Sequence, residues 1–92
     1  MPGLDPQTLQ TFLKKNPEWA YVGGRLERTF LFTNFARAMV FVNKIVNPIE
    51  EHQSYPRITI TYNRVFVSLF NPVKGVLTED ELSIADEMEV LK

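Results

Sequence analysis

The residues best suited to proton-transfer chemistry lie in the segment EHQSYP, residues 51–56. His52 is the only histidine of the chain, and Glu50 and Glu51 directly precede it. An imidazole beside a carboxylate is typical of general acid–base catalysis, because the imidazole pKa lies near neutral pH. A single histidine at a predicted helix end is a weak signal, since such a residue more often caps or solvates the helix.

Residue types and spacing exclude most other kinds of active site. The chain has no cysteine, which excludes disulfides, thiolate nucleophiles and cysteine-based metal sites. A histidine-based metal site would need a second histidine. The serines lack the G-x-S-x-G context of a nucleophile elbow, and Gly23-Gly24 is not part of a phosphate-binding loop. Residue chemistry alone therefore predicts no active site.

Size and composition are those of one small globular domain, residues 1–92. The net charge is −1 and there is no basic stripe, so we expect no nucleic-acid partner. No apolar run reaches the roughly 20 residues of a membrane span. The start MPGLDPQT has neither the basic nor the apolar part of a secretory leader. We expect a cytoplasmic protein without a membrane partner.

Seven elements are predicted to position these residues. Capping, proline and periodicity signals indicate the order helix, two strands, helix, two strands, helix. Short hairpins and alternating faces favour an α+β domain, with one four-stranded antiparallel sheet and three helices on one face. The predicted elements are a helix from Pro6 to about Asn16, strands at 19–22 and 25–33, a helix at 34–51, strands at 57–62 and 64–70, and a helix after Thr78.

Three local expectations follow from single residues. Pro48 lies inside the helical pattern of 34–51, so we expect the helix to kink or loosen there. Asn63 is expected to take the left-handed conformation in the tight turn Tyr62-Asn63. The sequence Thr78-Glu79-Asp80-Glu81 predicts a capping box.

Two surfaces are predicted to bind partners. The second face of the sheet carries Phe66, Ser68 and Phe70, and an open aromatic face of this kind favours self-association. The last fifteen residues hold six acids and one base. That run is more often a solvated helix face, but it could also steer a basic partner.

Nearly the whole chain, from Trp19 to Ala85, resembles the pterin-4a-carbinolamine dehydratase family. The family's fold, α-β-β-α-β-β-α with one four-stranded antiparallel sheet, agrees with the order predicted from the residues. The resemblance is carried by RTFLF at 28–32, Asn34-Phe35, Phe41, Tyr62-Asn63-x-Val65 and Gly75-x-Leu77-Thr78.

The family's catalytic motif is kept only in part. Glu50 matches its acidic residue, Pro56 the proline of its His-His-Pro run, and Tyr62 its downstream aromatic residue. Glu81 stands where the family has an aspartate early in the last helix, and is longer by one methylene.

All three histidines of the motif are replaced. Ser54, Tyr55 and Pro72 occupy their positions. Dehydration of a 4a-hydroxypterin needs one group that donates a proton and one that accepts a proton near neutral pH. The side chains of serine and tyrosine titrate far from neutral pH, and the proline side chain does not titrate. His52 precedes the first position by two residues, about 6–7 Å of extended chain. The resemblance thus implies a non-catalytic member without a cofactor.

Family members without these histidines include proteins of α-carboxysome gene clusters that are regarded as assembly factors for ribulose-bisphosphate carboxylase/oxygenase (Rubisco). This chain is similar to that branch. The resemblance implies a bacterial homodimer, cytoplasmic or carboxysome-associated, whose partner is the Rubisco large subunit or an assembly intermediate. Two surfaces are candidates for this contact: the acidic last helix, Glu79 to Glu89, and the former pocket rim, which comprises Ser54, Tyr55, Pro56, Tyr62 and Pro72. Tyr55 is either an interface anchor or a packing residue that fills the vacated pocket.

Two alternatives remain open. One is a residual or altered pterin dehydratase that uses Glu50, His52 and Tyr62. The other is a protein-binding cofactor with a different client, as implied by the family's other role as a dimerisation cofactor for a homeodomain transcription factor.

Overall fold

The computed structural model describes residues 4–52 and 54–92 as three helices and four strands. The strands form one antiparallel sheet in the order β1-β2-β4-β3. The predicted α+β architecture is confirmed. The elements are α1 (Pro6–Lys15), β1 (Ala20–Val22), β2 (Arg25–Leu31), α2 (Phe35–Glu51), β3 (Arg57–Thr61), β4 (Arg64–Leu69) and α3 (Glu79–Leu91).

Two-residue turns set the register of the outer strand pairs. Gly23 and Gly24, with φ of 56° and 82°, connect β1 to β2, because both central residues of such a turn need positive φ. In the β3–β4 turn the left-handed residue is Tyr62, with φ 53°. The expectation that Asn63 takes this conformation is therefore wrong. A side chain in this region costs roughly 1–2 kcal/mol, and Tyr62 recovers part of that cost by stacking on Phe35.

The inner face of the sheet and two helices form the core. Alternate residues of β2 and β4 point toward the helices, and α2 and α3 present apolar stripes to them. The least exposed members are Leu26, Phe30, Val65, Val67, Leu69, Ala38, Phe41, Ile45, Ile84, Ala85 and Met88, each at 0–2% exposure. Trp19 lies at one edge of this core, with edge-to-face contacts to Phe12 and Phe30.

Among residues 4–52 and 54–92, no helix covers the outer face of the sheet. Leu31 is 67% exposed there, and Phe66 and Phe70 are half-buried. Ser68 is only 1% exposed, because Arg25 donates to its hydroxyl at 2.6 Å and the hydroxyl donates to Glu27 at 3.2 Å. The Arg25 guanidinium also lies over the Phe70 ring. The prediction that Phe66, Ser68 and Phe70 form a subunit interface stays a prediction, and Ser68 is already buried by its own chain.

Capping residues define where the two longer helices begin. The Asn34 side chain accepts a hydrogen bond from the Arg37 amide at the start of α2. Thr78 and Glu81 form the predicted capping box of α3. The α2 helix continues through the buried Pro48 to Glu51, so it does not end at that residue. No helix among the described residues combines the length and apolar character needed to cross a membrane.

Candidate functional site

Most positions of the family's motif lie at one end of the molecule. The end of α2 carries Glu50, and Ser54 follows shortly after it. Glu81 lies in the first turn of α3, and Pro72 lies in the connection that leads there from β4. Because Arg57 pairs with Ser68 near the end of β4, the beginning of β3 and the end of β4 lie at this same end.

Tyr62 lies at the opposite end. It follows β3 and stacks on Phe35, the first residue of α2, with ring centroids 6.4 Å apart. Glu50 is fifteen residues further along the same helix, which corresponds to about 22 Å. Within one chain, Tyr62 is therefore far from Glu50 and His52. The alternative catalytic hypothesis needs all three residues at one site.

A buried hydrogen bond joins two positions of the former motif. The Ser54 hydroxyl donates to Glu81 Oε2 at 3.1 Å. The other oxygen of that carboxylate, Oε1, accepts from the amide and the hydroxyl of Thr78, both at 2.7 Å. Ser54 is 2% exposed and Glu81 is 0% exposed. Both oxygens of the Glu81 carboxylate thus accept hydrogen bonds from the same chain, one from Ser54 and two from Thr78, the N-cap residue of α3.

Exposed residues surround this buried bond. Tyr55 is 63% exposed, so it does not fill a vacated pocket. Pro56 is half-buried, whereas Glu50 and Pro72 are exposed. We call Ser54, Tyr55 and Pro56 the rim. Its only large exposed side chain is Tyr55, which follows the buried Ser54 directly.

The connection that carries Pro72 is held by its neighbours. The side-chain oxygen of the buried Asn71 accepts from the amides of Val73 and Lys74, both at 3.1 Å. The Gly75 amide donates to the Asn71 carbonyl at 2.8 Å, with Gly75 at a φ of 74°. These contacts form a compact turn, and the solvent-exposed Pro72 is one of its residues.

His52 is engaged by two carboxylates of α3. Its Nδ1 lies 2.9 Å from Asp80 Oδ1, and its Nε2 lies 3.3 Å from Glu87 Oε2. The hydrogen bond to Asp80 raises the pKa of His52 above 6.5; partial burial opposes this shift and Glu87 adds to it. Both ring nitrogens are therefore occupied by the chain itself, and His52 is not a free general base.

Most acids of α3 have partners within the chain. Glu89 accepts from Trp19 Nε1 at 2.8 Å, pairs with Arg28 and contacts Lys92 Nζ at 2.9 Å. Burial raises the pKa of Glu89, but the hydrogen bonds from Lys92, Arg28 and Trp19 outweigh it and hold the pKa below 4.5. Glu81 is buried, and Asp80 and Glu87 hold His52. This leaves Glu79 and Asp86 as the exposed acids of α3 that have no ion pair among the described residues, and they are available to the predicted docking surface.

The described surface has cavities away from the former motif. One of about 340 Å³ lies between α1 and α3, above Phe12 and Leu82. Another of about 450 Å³ lies on the outer sheet face beside Phe66. Neither includes the rim, Pro72 or Glu81. Among the residues that the structure describes, no group of three histidine and carboxylate side chains is arranged to hold a metal ion.

Sequence reasoning missed the contacts of His52 and Glu89. Asp80 and Glu87 are seven residues apart, a spacing that places them on one helix face, and this was the available signal for the His52 contacts. For Glu89, whose partners Arg28 and Trp19 are 61 and 70 residues away, no local signal exists.

Comparison with known proteins places these features in a family. The family model described as "Pterin 4 alpha carbinolamine dehydratase" matches residues 2–91. A Thermomicrobium roseum protein named "Putative pterin-4-alpha-carbinolamine dehydratase" is 38% identical over 91 residues, which cover 99% of this chain and 98% of the relative. A protein of the same name from Picosynechococcus sp. is 39% identical, with 96% of each chain covered.

The fold is also found among solved structures. The crystal structure of a transcriptional coactivator/pterin dehydratase from Brucella melitensis superposes with a TM-score of 0.89. The alignment covers 98% of each chain at 24% identity. This likeness establishes the shared fold.

Proposed function

The chain belongs to the pterin-4a-carbinolamine dehydratase family, and from that premise we propose that it is a non-catalytic member that assists the assembly of Rubisco. Its client would be the large subunit or an assembly intermediate. It would act in the bacterial cytoplasm or with the carboxysome, without a cofactor.

The observation that best supports the proposed loss of catalysis is the Ser54–Glu81 hydrogen bond. General acid–base catalysis needs a titrating group that can reach the reacting atoms. Here the serine at a former histidine position donates to the glutamate at the former aspartate position, and both are buried. The remaining histidine positions hold a tyrosine and a proline, and His52 is held by α3.

Support for a protein client comes from the rim. Tyr55 is 63% exposed directly after the anchored Ser54, so a large aromatic side chain is presented from a fixed backbone. Aromatic residues of this kind are enriched among interface anchors. The choice of Rubisco as the client rests on the resemblance to the α-carboxysome branch.

Co-expression tests the assembly role. Both Rubisco subunits from an α-carboxysome bacterium would be expressed with and without this chain, and assembled enzyme would be quantified by native gels and carboxylase activity. We expect a clear rise in soluble holoenzyme. An unchanged yield, with the chain well expressed, would rule out the role as stated.

Residual dehydratase activity is the second candidate, and the names of the relatives favour it. It is tested by the rate of 4a-hydroxytetrahydropterin dehydration, with an active family member as positive control. We expect a rate at the uncatalysed level, since loss of acid–base groups removes about 10²–10⁴-fold. A rate within about tenfold of the control would favour the dehydratase instead.

A further inference from the structure

The end of α2 is attached to α3 by two neighbouring contacts. Asp80 contacts the His52 imidazole, and Glu81, the next residue, accepts from Ser54. Glu87, two turns further along α3, contacts the other side of the imidazole. The Ser54 amide also donates to the Ile49 carbonyl at 3.3 Å. These contacts hold His52 and Ser54, two described residues that precede Tyr55, against α3.

Only one protonation state satisfies both contacts of His52. Ionised carboxylates accept hydrogen bonds but cannot donate them. The imidazolium has two N–H donors and can serve Asp80 and Glu87 together, whereas neutral imidazole has one donor. In the neutral form one nitrogen lone pair would face a carboxylate oxygen. The His52–Glu87 distance of 3.3 Å is longer than the His52–Asp80 distance of 2.9 Å. We therefore expect Glu87 to separate first when His52 loses its proton.

We propose that His52 is a pH-sensitive clasp that holds the end of α2, next to the rim, to α3 and so regulates client binding at Tyr55. This inference rests on the function proposed above, whose site it regulates. Protonated His52 reinforces the attachment that the Ser54–Glu81 hydrogen bond gives the rim. Neutral His52 releases one of the two carboxylates, so the rim then depends more on that single hydrogen bond. A rim that is already ordered loses less conformational freedom on binding, so binding is tighter when the clasp is closed.

The surrounding charges determine the pH range of the clasp. Asp80 and Glu87 face His52 from α3, and its own helix ends with the exposed Glu50 and Glu51. All four are acidic, and the two that contact the ring raise the pKa of His52 above 6.5. A raised pKa means that the clasp is fully closed below pH 6.5 and opens as the pH rises through the folded-state pKa.

NMR on the intact chain tests the clasp without any client. The imidazole Cε1–H resonance of His52 and the amide of Tyr55 would be followed from pH 5 to pH 9. We expect both to titrate with one midpoint above 6.5. In the Asp80→Asn, Glu87→Gln double variant, the midpoint should fall and the Tyr55 amide should stop responding. Asp86→Asn is the matched control, because this exposed acid of α3 contacts no cation among the described residues.

A Tyr55 amide that does not follow the His52 titration would overturn the clasp, as would an unchanged midpoint in the double variant. The regulatory step is read from affinity for the Rubisco large subunit at pH 6 and pH 8.5. We expect binding about threefold to tenfold weaker at the higher pH in the wild type, and pH-independent binding in His52→Gln.

These readouts separate the two proposals. No binding at either pH, with the NMR titrations as expected, would contradict the assembly function and leave the clasp intact as a structural device. Binding with the same pH dependence in the wild type and in His52→Gln would contradict the regulation and leave the function intact.

Discussion

Glu81 stands at a position for which the resemblance implies an aspartate in the family, and its carboxylate accepts a hydrogen bond from Ser54. It is 0% exposed and accepts three hydrogen bonds, two from Thr78 and one from Ser54. A buried carboxylate is costly unless it is hydrogen-bonded, and these three donors meet that requirement. The residue therefore connects the α3 cap to the rim.

Removal of the Glu81 side chain should be strongly destabilising. In Glu81→Ala, the amide of Thr78 and the hydroxyl of Ser54 lose their acceptor inside the protein. We expect a loss of about 2–4 kcal/mol in the free energy of unfolding, measured by urea denaturation. Glu79→Ala, an exposed acid in the same helical turn, is the control and should change stability by less than about 0.5 kcal/mol. Equal effects of the two variants would contradict this role of Glu81.

The positions and conformations of single residues were harder to predict from the sequence than the helices and strands. The resemblance predicts that Ser54, Tyr55 and Pro72 replace the family's histidines, and that assignment stays a prediction. The location of Tyr62 at the far end of α2 was not apparent, because a motif gives an order along the chain and no distances. The left-handed residue was predicted at Asn63 from intrinsic preference, but tertiary context places it at Tyr62, which stacks on Phe35.

At the scale of elements, Glu89 adds a polar attachment of α3 to the sheet beside the apolar core contacts of Ile84, Ala85 and Met88. Its carboxylate is 19% exposed and meets Arg28 of β2 together with the Trp19 indole. Charge-assisted hydrogen bonds in a half-buried setting are stronger than surface ion pairs. Because Glu89 accepts a hydrogen bond from the indole N–H, Trp19 can lie at the edge of the core without an unpaired donor.

The Glu89 contacts predict a pH-dependent stability. The folded-state pKa of Glu89 lies below 4.5, so its contribution is complete above that pH and is lost as the pH falls through the folded-state pKa. We expect Glu89→Gln to cost about 1–3 kcal/mol at pH 7 and progressively less as the pH falls below 4.5 and through the folded-state pKa. Urea denaturation of the wild type and of Glu89→Gln at pH 7, 5, 4 and 3 measures the free energy of unfolding at each pH, with Asp86→Asn as control. A difference between wild type and Glu89→Gln that stays constant with pH would contradict the account.

Elements were well predicted because their signals are local. The double glycine, the capping box and the apolar stripes each depend on residues a few positions apart, and each agrees with the structure. The kink or loosening expected at Pro48 stays a prediction, since the bounds of α2 show only that the helix continues to Glu51 with Pro48 buried.

For the whole molecule, the outer sheet face is the surface on which we expect a homodimer to form. It is free of helices and carries Leu31, Phe66 and Phe70. Light scattering at micromolar concentration should give at least the mass of a dimer. Phe66→Glu should shift the mass toward that of a monomer, because a carboxylate would be buried in an apolar contact. A monodisperse monomer in the wild type would contradict the prediction.

The central claim is that the rim binds a Rubisco large subunit instead of a pterin. The most direct measurement is the affinity of purified large-subunit complexes for Tyr55→Ala compared with Tyr21→Ala. Tyr21 is a matched control, since it is 51% exposed on the edge strand β1, whereas Tyr55 is 63% exposed. We predict that Tyr55→Ala binds at least about tenfold more weakly and that Tyr21→Ala binds like the wild type. Equal affinities of the two variants, or no binding by the wild type, would contradict the claim.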